Sequence, residues 1–228
     1  MSTIEIGGGF VRLDAAMADD ASVVNAARVS FAKNAVLPNQ VSDVDKGLIN
    51  FLMREKHGTP FEHNAFRFHV KCPIFVAREW FRHRVGSFNE FSARYSEVPN
   101  EFFAPELEDV RGQVGKPGSY SFEALDAETS ADVKALIEQS NATAYEVYQG
   151  LLGAGVAKEL ARVVLPMSMY TQFYWTVNAR SLMNFLALRT HETAQRDIRV
   201  YADAVHALAV PVMPVTFEAW ETHGRVTP

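Results

Sequence analysis

Phe66-Arg67-Phe68-His69-Val70-Lys71-Cys72 alternates strictly between apolar and polar residues. Period two marks a strand with one buried face, so Phe66, Phe68, Val70 and Cys72 point to a core and Arg67, His69 and Lys71 away from it. A free cysteine on such a face behaves as a small buried hydrophobe. A nucleophilic thiol needs an electropositive, partly exposed setting instead. Pro73 suits the first turn of a helix, and Ile74 to Arg84 supplies one. Glu79, Arg82 and His83 then share a face near its C-terminal end, being three and four apart.

Upstream, Gly7-Gly8-Gly9 reads as a turn before the alternating Phe10-Val11-Arg12-Leu13. It is not a dinucleotide fingerprint, because the strand-first order and the later glycine are missing. Asp19-Asp20 sits where an N-cap and a first-turn acid belong, ahead of a helix running to Val29. Asp43 to His57 is a second helix with Leu48, Ile49, Phe51 and Leu52 on its apolar face and Gly58 as its stop. Thr59 to His63 forms a turn into the strand.

Downstream, Val85 to Pro99 reads as a loop. Residues 100–128 are acidic and Gly/Pro-rich, with Gly115-Lys116-Pro117-Gly118 among them, and form a surface excursion or lid within one domain. A long helix begins near Thr129-Ser130 and ends at Gly153-Ala154-Gly155. Its stripe of Val133, Leu136, Ile137, Ala144, Val147, Tyr148 and Leu151 is assigned to the core. Ala157 to Val164 is a shorter helix stopped by Pro166. Tyr170 to Val177 is a strand, Asn178 an N-cap, and Ala179 to Leu188 a helix with Arg180 and Asn184 on one face. A last helix spans Ala194 to Ala209 before Pro211 and Pro214. The fold class is therefore α+β: a single domain over 1–228, with a mixed or antiparallel sheet flanked by long helices.

The 228 residues are 48% hydrophobic, enough for a substantial core. A formal net charge of −5 disfavours a general nucleic-acid binder, which needs a broad basic field. One cysteine excludes an internal disulfide and fits a reducing, cytoplasmic setting. No signal peptide or membrane-length apolar run is visible.

Against that acidic background, Arg82 to Tyr95 (Arg-His-Arg-Val-Gly-Ser-Phe-Asn-Glu-Phe-Ser-Ala-Arg-Tyr) concentrates arginine, serine and asparagine without lysine. Arginine's planar fork suits phosphates and carboxylates, and hydroxyls and turn amides add short-range donors. Arg82 or Arg84 alone is explained by a helix C-terminus; the whole set describes a pocket for a phosphorylated small molecule. His57, His63 and His69 lie six apart, but helix end, turn and strand are different local geometries and no thiol or acid completes a ligand set. A metal-dependent hydrolase built on them, and a nucleic-acid module using the arginine cluster, are the two alternatives.

Arg82-His83-Arg84, seven residues, then Ser92, with Ser87, Asn89, Arg94 and Tyr95 in place, resembles the hallmark of the flavin-dependent thymidylate synthases. Thr59-Pro60-Phe61-Glu62-His63, Ala161 to Pro166 and Thr176 to Phe185 are similar to that family too, in the expected order, from about Phe10 to Trp220. The resemblance implies a homotetramer with active sites shared between subunits. It implies conversion of dUMP to dTMP, with methylenetetrahydrofolate as carbon donor, FAD as hydride carrier and NADPH as reductant.

Flavin contacts are expected at His57, Thr59, Arg82, His83, Arg84, Val85, Glu90, Asn178, Arg180 and Asn184. Nucleotide contacts are expected at Glu79, Arg82, Glu90, Phe91, Ser92, Ala93, Arg94, Arg162 and Arg189, with Arg189 the catalytic charge on the pyrimidine. No metal and no protein nucleophile are implied. Many members of that family carry glutamine where this chain has Glu79, and an ionised glutamate accepts hydrogen bonds but cannot donate them.

Overall fold

A computed structural model of the protein describes residues 2–31, 35–38, 40–116 and 119–228; Pro117 and Gly118 of the expected turn lie outside them. The chain begins with β1 (Thr3–Ile6) and β2 (Gly9–Met17), then α1 (Asp20–Arg28), α2 (Asp43–Arg54) and the single turn α3 (Thr59–Glu62). Next come β3 (Ala65–Pro73), α4 (Ile74–Trp80) and β4 (Ser87–Glu90). β5 (Arg111–Lys116), β6 (Ser119–Ala124), α5 (Ala127–Gly153) and α6 (Lys158–Ala161) follow. The chain closes with β7 (Tyr170–Asn178), α7 (Ala179–Arg189), α8 (Arg196–Ala209) and α9 (Pro214–Thr222). It divides into two compact units, and each gathers non-contiguous segments.

The first unit comprises the chain up to Cys72, Val76–Glu90 and Thr171–Pro228. Its sheet has the order β1-β2-β3-β7-β4, and the pairs β1–β2, β2–β3 and β4–β7 are antiparallel. Phe66, Phe68, Val70 and Cys72 on β3 are fully buried, as the alternation requires. Each such side chain contributes about 1.5–3 kcal/mol on burial. Phe173, Trp175 and Val177 of β7 continue that face. Trp80 at the end of α4 lies 5.3 Å from Trp175 and 4.7 Å from Phe185, ring centre to ring centre, which ties the sheet to α7.

Several boundaries differ from the sequence reading. β1 was not anticipated; Gly7, at φ 54°, makes the turn that folds it onto β2. α2 stops at Arg54, not His57: Lys56 takes φ 57°, its amide donates to Met53 and that of His57 to Leu52. That is a Schellman closure with lysine where glycine is usual. Gly58 is consequently no helix stop. It is the N-cap of α3, at φ −71°. α4 ends at Trp80, and Arg82 and His83 fall in the closing turn, their amides donating to the Glu79 and Trp80 carbonyls. Within the supposed loop 85–99, β4 pairs with β7, Phe88 opposite Trp175.

α9 is a further element that the prolines obscured. Pro214 opens it, and no neighbouring side chain caps it. Asp20, buried on α1, does so from across the chain: it accepts from the amides of Val215 (3.0 Å) and Thr216 (2.8 Å) and from the Thr216 hydroxyl (2.6 Å). Asp20→Ala leaves those donors buried and unpaired, a loss of about 1.5–3 kcal/mol for bonds to a charged acceptor. Thermal unfolding of Asp20→Ala should show a midpoint roughly 5 °C or more below the parent. A midpoint within about one degree would show that α9 does not need this cap.

The second unit comprises Pro73–Phe75 and Phe91–Tyr170. β5 and β6 form an exposed hairpin inside the acidic excursion. α5 departs from its assigned role: of its expected core stripe only Tyr148 is buried, while Leu136 and Val147 are exposed. Tyr148 joins Ala93, Val98, Ala161 and Met169 in a small core, and its hydroxyl accepts from the Val98 amide. Within this unit α5 packs on short segments, among them α6 and the turns at Leu107–Asp109 and Arg162–Val164. Leu136 and Val147 therefore lie outside that cover.

Candidate active site

Eight of the expected site residues surround one cavity of about 630 Å³ in the first unit: Arg82, His83, Arg84, Val85, Asn178, Arg180, Asn184 and Arg189. Two local structures bring them together. The tight turn after Trp80 presents residues 82–85, the i, i+4, i+8 row of α7 presents Arg180, Asn184 and Leu188, and Arg189 reaches the cavity from the last residue of that helix. Asn178 caps α7, its side-chain oxygen accepting from the Ser181 amide at 2.8 Å, which leaves its amide NH₂ and the oxygen's second lone pair for a ligand. Asn178, Arg180 and Ser181 all line the cavity, which places the positive end of the α7 dipole there as well.

The four arginines are held differently. Arg180 donates to Glu62 Oε1 at 2.7 Å and to the Pro228 carbonyl oxygen at 2.6 Å. Its side chain is 46% exposed, and such a surface pair is worth about 1 kcal/mol or less, so a phosphate displaces it readily. Arg82 and Arg84 are exposed and form no ion pair among the described residues. Arg189 is fixed from two sides: Nε donates to His83 Nε2 at 3.0 Å and Nη1 to Glu79 Oε2 at 3.3 Å. Burial, reinforced by the Arg189 charge, pushes His83 down to about 4, and its ring is neutral at physiological pH. Burial raises the Glu79 carboxyl, against the opposing pull of Arg189.

The remaining expected residues do not line this cavity. His57 and Thr59 are exposed on either side of Gly58, with His57 edge-on to Phe51. Glu79 meets the site through its bond to Arg189. Glu90 lies on the edge strand β4 and accepts from the Thr171 hydroxyl at 2.7 Å. Phe91, Ser92, Ala93, Arg94 and Arg162 belong to the second unit. There Ala93 is buried in the small core. The Ser92 carbonyl accepts from the Tyr95 and Ser96 amides. Arg94 lies over the Tyr95 ring, and Arg162 donates to the Glu159 carbonyl.

Glu62, Ser181, Leu188 and Thr227 also line the cavity and were not singled out from the sequence. Glu62 and Ser181 sat inside quoted motifs; Leu188 and Thr227 carried no signal. Among the described residues no three His, Cys, Asp or Glu side chains converge to hold a metal ion. His69 is occupied, stacked on Tyr174 and bonded to Arg12 and Gln172. No helix among the described residues is long and apolar enough to cross a membrane.

Cys72 is fully buried, and its thiol is pushed well up by desolvation, with Glu90 acting in the same direction. It has neither the access nor the acidity of a nucleophile. Cys72→Ala should therefore retain turnover within about two-fold while losing some stability. A loss beyond about 100-fold in protein that is still folded would return Cys72 to the chemistry.

The family pattern described as thymidylate synthase complementing protein matches residues 12–215. A flavin-dependent thymidylate synthase of Thermosipho africanus is 51% identical over 212 residues, covering 93% of this chain and 90% of the relative. One from Streptomyces coelicolor is 46% identical, covering 96% and 93%. Among solved structures, the UMP/dUMP methylase PolB of Streptomyces cacaoi, bound with 5-Br UMP, is similar at a TM-score of 0.89 and 42% identity, covering 96% of each chain.

Proposed function

This chain belongs to the thymidylate synthase complementing protein family, and we propose that it converts dUMP to dTMP by reductive methylation. Methylenetetrahydrofolate is the carbon donor in this reading, FAD the bound flavin and NADPH the reductant. The observation that carries it is the gathering of Arg82, Arg84, Arg180 and Arg189 around one cavity in a chain of net charge −5.

That donor set fits a flavin dinucleotide. Its two linked phosphates call for arginine forks and oriented amides, which Arg82, Arg84, Arg180 and the N-terminal end of α7 supply. The cavity volume is typical of small-molecule sites, roughly 300–1,000 Å³. Flavin held here would supply the hydride that turns a transferred methylene into a methyl group. Asn178 and Asn184 would donate to its polar edges, and His57, Thr59, Val85 and Glu90 would complete the binding surface.

For the nucleotide, Arg82, Arg94 and Arg162 would answer the phosphate with Ser92 as a hydroxyl donor. Glu79, Glu90, Phe91 and the Ala93 main chain would frame the base and sugar. Arg189 would set a positive charge against the pyrimidine and favour an electron-rich ring. With Cys72 buried and Ser92 assigned to binding, no side chain attacks the substrate.

The exposed apolar residues of α5, Leu136 and Val147 among them, suit burial against a second copy of the chain and support a homotetramer. A single buried thiol suits a reducing cytoplasm. Purified protein should be yellow, with a flavin band that NADPH bleaches without air, and should form dTMP from dUMP only when methylenetetrahydrofolate is present. Colourless protein that takes up no FAD and forms no dTMP would overturn this reading.

Gly58 offers a sharper test of the flavin side. A Cβ there would stand 2.4 Å from Arg180 Nε and 2.8 Å from the Pro228 oxygen, although the backbone itself suits any residue. The flexible arginine and the Pro228 main-chain oxygen must both yield, and the arginine carries its displacement into the site. Gly58→Ala should weaken FAD retention about ten-fold or more, measured by equilibrium dialysis, while its unfolding midpoint moves by only about two degrees. Unchanged retention would remove Arg180 from the flavin site.

A further inference from the structure

We propose that His83 is a positioning residue whose Nε2 lone pair fixes the guanidinium plane of Arg189 without cancelling its charge. The inference rests on the reading of Arg189 as the charge that acts on the pyrimidine. Arg189 is the last residue of α7, where a long side chain has many rotamers open to it. Two bonds remove that freedom: Nε to His83 at 3.0 Å and Nη1 to Glu79 at 3.3 Å. The histidine bond is the shorter, and it engages the nitrogen that defines the orientation of the fork. The Nη2 edge is left free of both partners.

The histidine is itself held firmly. Its amide donates to the Trp80 carbonyl at 3.0 Å, and its ring stands edge-on to Phe185, 5.0 Å away. Phe185 is fully buried and lies one turn before Arg189 on the same helix. Ring and guanidinium are therefore indexed to one element. Arginine Nε can only donate, so Nε2 must be the unprotonated nitrogen and Nδ1 must carry the hydrogen.

A neutral acceptor is the distinctive choice here. A second carboxylate would orient Arg189 equally well but would offset the positive charge that the substrate needs. Glu79 already does this in part, over the longer bond. The charged groups that act on this ensemble are Arg189, Glu79, Arg82 and Asp197. The His83 ring accordingly serves Arg189, while its amide is taken up by the Trp80 carbonyl.

The test compares His83 variants of the flavin-loaded enzyme, first with Arg189 in place and then without it. His83→Leu should keep its flavin content and unfolding midpoint but lose about 10- to 100-fold in kcat, the scale of a misplaced catalytic group. His83→Gln, which can present an oxygen near the Nε2 position, should recover turnover to within about three-fold. In an Arg189→Lys background, which has no Nε, His83→Leu should cost less than about two-fold more. Neutron diffraction should show deuterium on His83 Nδ1 and none on Nε2, a readout independent of activity.

Should His83→Leu fail to fold, His83→Asn takes its place, because its shorter amide cannot reach Nε. Equal turnover in His83→Gln and the non-accepting variant, losses that multiply in the Arg189→Lys background, or deuterium on Nε2 would each overturn the proposal. Failure of the underlying reading looks different: Arg189→Ala alone would then turn over normally.

Discussion

Arg189→Lys should lower kcat by at least about 100-fold while shifting the unfolding midpoint by no more than about two degrees. Lysine keeps the positive charge at the end of α7, so whatever that charge contributes to the helix dipole, about 0.3–1 kcal/mol, is retained. It loses the planar fork and the Nε–H that meets His83. Glu79, already partly desolvated, would then draw the ammonium toward itself. The result is a cation of the right sign in the wrong place, and displacements of about 1 Å commonly cost about 100-fold. Single-turnover kinetics at saturating dUMP separate this loss from weakened binding. A kcat within about three-fold of the parent would reduce Arg189 to a helix-terminal cation.

Trp80→Ala should show the largest effect on stability, a loss of about 3–5 kcal/mol. Trp80 is fully buried among Phe173, Trp175, Phe185 and Tyr201, so its removal leaves a void bordered by β7, α7 and α8. The damage is not confined to the core. Its carbonyl receives the His83 amide in the turn that presents Arg82 and Arg84. Urea unfolding should therefore report the stability loss, and equilibrium dialysis against FAD should report weakened binding in the fraction still folded. Trp80→Phe should recover most of both, because a ring still fills the site. A loss below about 1 kcal/mol for Trp80→Ala would mean that the neighbouring rings collapse into the gap.

Where structure is set by residues close along the chain, the sequence was readable. Alternation placed Phe66 to Cys72 in a strand, and aromatic and β-branched content did the same for Tyr170 to Val177; Asp19 and Asn178 cap the helices they precede. Apolar pattern alone was a poorer guide to burial. The stripe of α5 is periodic enough to read as core, but period reports which residues share a face and not whether anything covers that face. Leu136 and Val147 are exposed for that reason.

Elements whose stability comes from distant partners were misread. β4 has four residues with Phe88 as its one large apolar side chain, and it exists because β7 offers an edge to pair with. α9 is capped by Asp20 from 196 positions away in the case of Thr216. The candidate site divides along the same line. Its residue types and their grouping into motifs are local properties, so the arginines, Asn178 and Asn184 were named from the sequence together with the family they resemble. What each one touches was not local. Only tertiary packing turned His83 and Glu79 onto Arg189, left Arg82 and Arg84 without an ion pair among the described residues, and set α3 beside α7 so that Arg180 meets Glu62 and, at the end of the chain, Pro228. Hydrogen bonds and ion pairs act over a few ångströms of space, and residues far apart along a chain come within that reach only after it has folded.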